Sequence, residues 1–175
     1  MTLDDLFQGK ESPGQLDMKL NFRKFFQDSQ LNPKEAGVVT LACAEAVNAK
    51  SLSAFAAAHL QAQGASAEEI QEAKDAASIM GVMNCFYRFR HYVHKEAYQK
   101  PAGLRMNIMA RPVNGKVNFE MMAFAVSIIN GCEACVKSHE DSLLKHEVSE
   151  DKVYDLARLA SICKGLEPLL RTSST

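Results

Sequence analysis

The chain has 175 residues, of which 47% are apolar and 23% charged, with a formal net charge of −1. That composition suits one well-buried globular core and is short for two independent domains. It supplies no basic field for nucleic acid, and no apolar run approaches the roughly 18 residues of a membrane span, so neither is an expected partner.

Taken in chain order, the hydrophobic pattern is helical nearly throughout, with Pro and Gly between periodic segments and no strictly alternating β-branched runs. The spacing predicts helices at about 15–28, 33–49, 51–63, 67–95, 103–110, 117–129, 132–146 and 150–170. Asn32 before Pro33 is a cap followed by proline at the first helical position. Ser66 before AEE and Ser149 before EDK each place a capping hydroxyl ahead of an acidic first turn. The final RTSST is expected to fray. GASAEEIQEAKDAASIM at 64–80 echoes EVSEDKVYDLARLASIC at 147–163, with Ser66 matching Ser149. The echo points to one domain over 1–175 made of two related halves, about 1–98 and 103–171, joined near YQKPAG. Two independently similar capped helices are the alternative.

The opening MTLDDLFQGKESPG is acidic where a secretory leader would be apolar. Five cysteines is an odd number, and Cys43, Cys85 and Cys163 lie scattered in apolar surroundings. A soluble cytoplasmic protein with reduced thiols is the expectation.

The chemistry concentrates in NGCEACVKSHE at 130–140. Cys132, Cys135 and His139 could supply the three ligands of a catalytic zinc but not the four of a structural one, and with no second CxxC and no HxxxH in the chain a metal is the minor alternative. A redox dithiol needs only the pair. At the start of a helix both sulfurs fall on the first turn, close enough to bridge, where the helix dipole favours thiolate. Gly131 permits a sharp entry that would leave Cys132 exposed. His139, four residues after Cys135, shares its helical face and can carry the thiol proton; a plain surface histidine in KSHEDS is the bland alternative. Glu120 starts the apolar helix NFEMMAFAVSIIN. If the next helix folds back at Asn130-Gly131, Glu120 and His139 come nearly level, because each helical residue rises about 1.5 Å. A solvated first-turn glutamate is the competing reading. RFRHYVHK at 88–95 reads as a solvated face or subunit contact, and Met80, Met83, Met106, Met109, Met121 and Met122 read as core filler.

The spacing E-x11-C-x2-C-x3-H over Glu120, Cys132, Cys135 and His139 resembles the alkyl hydroperoxidases of the AhpD type, within the carboxymuconolactone decarboxylase-like superfamily. IMGVMNCFYRFRHYV at 79–93, LRMNIMARP at 104–112 and NFEMMAFAVSIINGCEACVKSHE at 118–140 read like that family in the same order. The resemblance implies an all-α, AhpD-like fold of two related halves, assembled as a homotrimer. It implies hydroperoxide reduction by a Cys132–Cys135 dithiol–disulfide cycle, with Glu120 and His139 as proton relay and no bound cofactor or metal. Electrons would come from external dihydrolipoamide, carried by the lipoylated acyltransferase of a 2-oxoacid dehydrogenase complex, and could pass on to an AhpC-type peroxiredoxin. Better-known members carry histidine directly before the second cysteine, whereas this chain has Ala134 beside the acidic Glu133. Which cysteine attacks first stays open, since His139 favours Cys135 and the helix terminus favours Cys132. A non-redox lactone decarboxylase-like enzyme and a regulatory disulfide adaptor without turnover are the alternatives.

Overall fold

The computed structural model describes residues 4–7 and 12–172, with side chains to residue 170. Among these there are seven helices and no strand: α1 Pro13–Gln27, α2 Pro33–Ala46, α3 Lys50–Ala62, α4 Ala67–Val93, α5 Lys116–Ile129, α6 Glu133–Lys145 and α7 Glu150–Thr172. No helix among the described residues is long and apolar enough to cross a membrane.

Capping boxes start three of the seven helices. Ser12, Asn32 and Ser66 each accept from the backbone three residues on, and Gln15, Glu35 and Glu69 reach back in reciprocal capping boxes. The first helix therefore begins at Pro13 rather than 15, because proline at the first position costs no hydrogen bond. The helix expected over 103–110 forms only as a 3-10 turn at Asn107–Ala110. Gly103, at φ +66°, keeps the preceding segment out of helical geometry. The helix from 67 stops at Val93, where His94 turns left-handed at φ +50°. Helical backbone continues through Arg171 and Thr172; the fraying expected for 173–175 lies outside the described residues.

The bounds of α2 and α3 and the start of α4 recur in α5, α6 and α7 at a constant offset of 83 residues. Local detail recurs with them. After α2, Asn48 at φ +58° lets Ala49 N–H bond Ala44 C=O; after α5, Gly131 at φ +67° lets Cys132 N–H bond Ser127 C=O. In α2 the unbroken run Ala36 to Ala44 is buried, and in α5 the corresponding run Phe119 to Ser127. These two helices form the central pair, each touching the other and both α4 and α7. Phe22, Phe25, Leu41, Leu52, Leu60, Phe119, Leu143, Leu156 and Leu159 fill the core around them.

A buried carboxylate also recurs. Glu72 of α4 accepts from the backbone of Val113 at 2.6 Å and Asn114 at 2.7 Å, and from the Asn114 amide at 2.9 Å. Asp155, its counterpart on α7, accepts from Gln30 N–H at 2.8 Å. Each half thus anchors the loop leading into the other half's central helix. Glu72→Ala strands buried donors, and urea unfolding should show a loss of about 2–4 kcal/mol.

Candidate functional site

The site is built at the corner between α5 and α6. Gly131 reverses the chain, Cys132 becomes the N-cap of α6, and Cys135 occupies its first turn beside N–H groups that have no intrahelical partner. The two sulfurs are joined as a disulfide across Cα atoms 5.3 Å apart. Contrary to the exposed corner expected from the sequence, Cys132 is only 1% exposed and Cys135 6%. The bond from Cys132 N–H to Ser127 C=O tucks the cap back against α5 instead of letting it project.

Folding back brings Glu120 and His139 level, as the helical rise requires. His139 Nδ1 lies 2.7 Å from Glu120 Oε2, and Lys116 Nζ lies 2.6 Å from Glu120 Oε1. Burial by itself would raise the Glu120 carboxyl, but the hydrogen bonds from His139 and Lys116 together outweigh it and hold the group down at about 2. An ionised carboxylate only accepts, so Nδ1 is the donor and Nε2 is the ring atom left to exchange protons. The first half holds none of this. Cys132, Cys135 and His139 correspond to Ala49, Leu52 and Ala56, and Glu120 to Gly37, where even a Cβ would meet Leu60 at 2.7 Å.

A cavity of about 380 Å³ opens onto these groups, lined by Met80, Met83 and Tyr87 of α4, Met109 of the Asn107–Ala110 turn, and Ala134, Cys135, Ser138 and His139 of α6. Cys135 and His139 line it and Cys132 does not. Its wall is mostly apolar, with Cys135 and His139 beside Tyr87 and Ser138 as the groups able to exchange protons or hydrogen-bond. Glu133, whose charge would oppose a thiolate, is paired with Lys137 and faces His91 at 3.6 Å. Those partners, Lys137 first, hold its carboxyl below the ordinary value.

Alkyl hydroperoxide reductase AhpD of Anaeromyxobacter sp. (strain K) is 40% identical over 162 residues, covering 92% of this chain and 86% of that protein. The AhpD of Brucella anthropi is 38% identical over 180 residues, covering 100% of this chain and 99% of its own. The model of the Carboxymuconolactone decarboxylase family matches residues 95–172. The chain belongs to the AhpD family.

Several parts of this AhpD-family site went unread in the sequence. Met80, Met83 and Met109 pack in or against the core and also form cavity wall, whereas Met121 and Met122 are fully buried on α5. Lys116 was legible in principle, since it sits four residues before Glu120 on the same helical face. Behind the corner runs a polar chain: Asn84 donates to Ser127 Oγ at 2.9 Å, Asn130 donates to Asn84 Oδ1 at 2.9 Å, and Arg88 donates to the Asn130 carbonyl. It pins α4 to the end of α5, so RFRHYVHK is in part an internal strut rather than only a solvated face. Among the described residues no group of three or more His, Cys, Asp or Glu side chains is placed to hold a metal ion.

The remaining three cysteines are free and divide by burial. Cys43 and Cys163 are fully buried, and the neighbouring Cys163 thiol together with burial pushes the Cys43 thiol well up. Cys85 is exposed on α4. Iodoacetamide should therefore label Cys85 in the native protein and reach Cys43 and Cys163 only after unfolding, as read by peptide mass spectrometry.

Proposed function

We propose that this protein is an alkyl hydroperoxide reductase whose Cys132–Cys135 pair cycles between dithiol and disulfide. The observation that carries the reading is that Cys135 and His139 share one apolar-walled cavity, with His139 backed by the ionised Glu120. The names and extent of the AhpD relatives support it. In this reading Cys135 is the attacking thiolate, because it lines the cavity while Cys132 is closed off behind it.

The Cys135 thiolate attacks the terminal oxygen of ROOH, the O–O bond breaks, and RO⁻ leaves as ROH with a proton from His139. Cys135 is now a sulfenic acid. The Cys132 thiol condenses with it, releasing water and closing the disulfide. Two exchange steps with a dihydrolipoyl dithiol reopen the bridge and leave the lipoyl group as its own disulfide. Delivery of that dithiol by a lipoylated acyltransferase, onward reduction of an AhpC-type peroxiredoxin and a cytoplasmic setting belong to the same reading. So does assembly as a homotrimer, which sedimentation would read; family membership alone supports it.

The test is steady-state peroxide consumption by the reduced protein with dihydrolipoamide. Many turnovers with cumene hydroperoxide, and slower consumption of hydrogen peroxide because the apolar wall gives it nothing to bind, are expected. A bridge that forms but never turns over would replace the enzyme by a regulatory disulfide. Untouched thiols together with conversion of a lactone would replace it by a decarboxylase.

A further inference from the structure

We propose that Lys116 is a positioning residue for His139, acting through Glu120: its ammonium takes one carboxylate oxygen, which fixes the other on the imidazole, and its charge sets the pH range in which Cys135 loses its proton. The proposal rests on the reading of Cys135 and His139 as the reacting pair.

Three observations lead to it. The first is geometric. Glu120 offers two oxygens, Lys116 Nζ takes Oε1 at 2.6 Å and His139 Nδ1 takes Oε2 at 2.7 Å, so the carboxylate cannot rotate without breaking one contact. The second is position. Lys116 is the first residue of α5, the positive end of the helix dipole, where a cation is disfavoured and a carboxylate would be the ordinary choice. Its side chain is 47% exposed whereas that of Glu120 is 6%, so the lysine reaches inward from the surface to a buried partner. The third is the internal repeat, in which Lys116 corresponds to Pro33 and Glu120 to Gly37. Both members of the pair occur only in the half that carries the dithiol.

Lys116 holds Glu120 Oε1, so without it the freed carboxylate no longer fixes the imidazole where it can take the thiol proton, and the loss of a nearby positive charge also makes the thiol harder to ionise. Both effects move proton exchange to higher pH. The other groups facing the pair do not replace it. Cys135 on α6 is the reacting thiol, and Tyr87 of α4 lines the same cavity. On the helices packed against the other sides of α5, Cys43 and Cys163 are buried free thiols, and Asp155 is held by Gln30 N–H and Arg158.

The experiment is the pH dependence of Cys135 alkylation by iodoacetamide in the reduced protein, mapped by fragment-ion mass spectrometry, for wild type, Lys116→Met and Lys116→Arg. Cumene hydroperoxide consumption is followed in parallel, and circular dichroism checks the fold, with Lys116→Gln as the substitute should Met impair it. The neutral variant should shift the alkylation profile up by about 0.5–1 pH unit, and Arg should restore it. At neutral pH the peroxide rate should fall about 3–10-fold with Met and recover with Arg. A neutral variant whose profile superimposes on wild type, or an Arg variant that behaves like Met, overturns the proposal. If the profile shifts as stated but no variant, wild type included, consumes peroxide, the hydroperoxide reading fails and the role of Lys116 stands.

Discussion

Cys135→Ser is expected to abolish peroxide-driven turnover, and His139→Ala to slow it by about 10²–10⁴-fold while leaving the dithiol able to bridge under prolonged oxidant. The difference follows from position. Cys135 lines the cavity and occupies the first turn of α6, so in the proposed cycle its sulfur both meets the peroxide and feels the helix dipole. A serine there has no accessible ionised form at neutral pH and cannot form the sulfenic acid. In the proposed cycle His139 moves the proton instead of making the bond, so its loss should cost the proton-transfer advantage and no more. Stopped-flow oxidation of the reduced variants reads this directly. If His139→Ala matched wild type across pH 6–9, the imidazole would be a bystander whatever its distance from Glu120.

Glu120→Gln is expected to slow peroxide reduction by about 100-fold and to change how stability depends on pH. Lys116 and His139 both point donors at this carboxylate, and an amide can accept from only one of them while turning its own N–H₂ on the other. The pH effect has a definite sign. The Glu120 carboxyl is depressed from 4.5 to about 2 in the fold, so its contribution is full above about pH 4.5 and is lost as pH falls through about 2. The stability gap between wild type and Glu120→Gln should therefore be constant from neutral pH to about pH 5. Below that it should narrow by about 2–3 kcal/mol as pH approaches 2. Urea titrations of both proteins at stepped pH read the gap, and a gap that widens toward acid would mean that Glu120 is not the ionised partner of His139.

What the sequence disclosed and what it withheld separate along physical lines. Caps are local, so Asn32-Pro33 and Ser66 announced their helices, and Asn130-Gly131 announced the corner. The level meeting of Glu120 and His139 needed only helical rise and one reversal. The echo between 64–80 and 147–163 was visible only where side chains repeat, yet the structure extends it back to Pro33, because backbone turns at Asn48 and Gly131 repeat with different residues. Burial of Cys132 was hidden because it depends on a carbonyl of Ser127 and on α4 packing beyond it. The cavity was hidden for the same reason, since Met83, Tyr87 and Met109 reach it from elsewhere in the chain. At 103–110 the apolar spacing of LRMNIM suits a helix, but Pro101 and the left-handed Gly103 break the backbone ahead of it and leave only the turn at Asn107–Ala110.

The central claim is that Cys132 and Cys135 are a peroxide-reducing dithiol, and the most direct measurement is stoichiometric. The protein is reduced, given cumene hydroperoxide in slight excess, alkylated, and mapped by mass spectrometry. One Cys132–Cys135 bridge per cumyl alcohol formed, with Cys43 and Cys163 still thiols and the bridge reopened by dihydrolipoamide, is the expected result. Freely alkylated Cys132 and Cys135 after exposure to the hydroperoxide would contradict it.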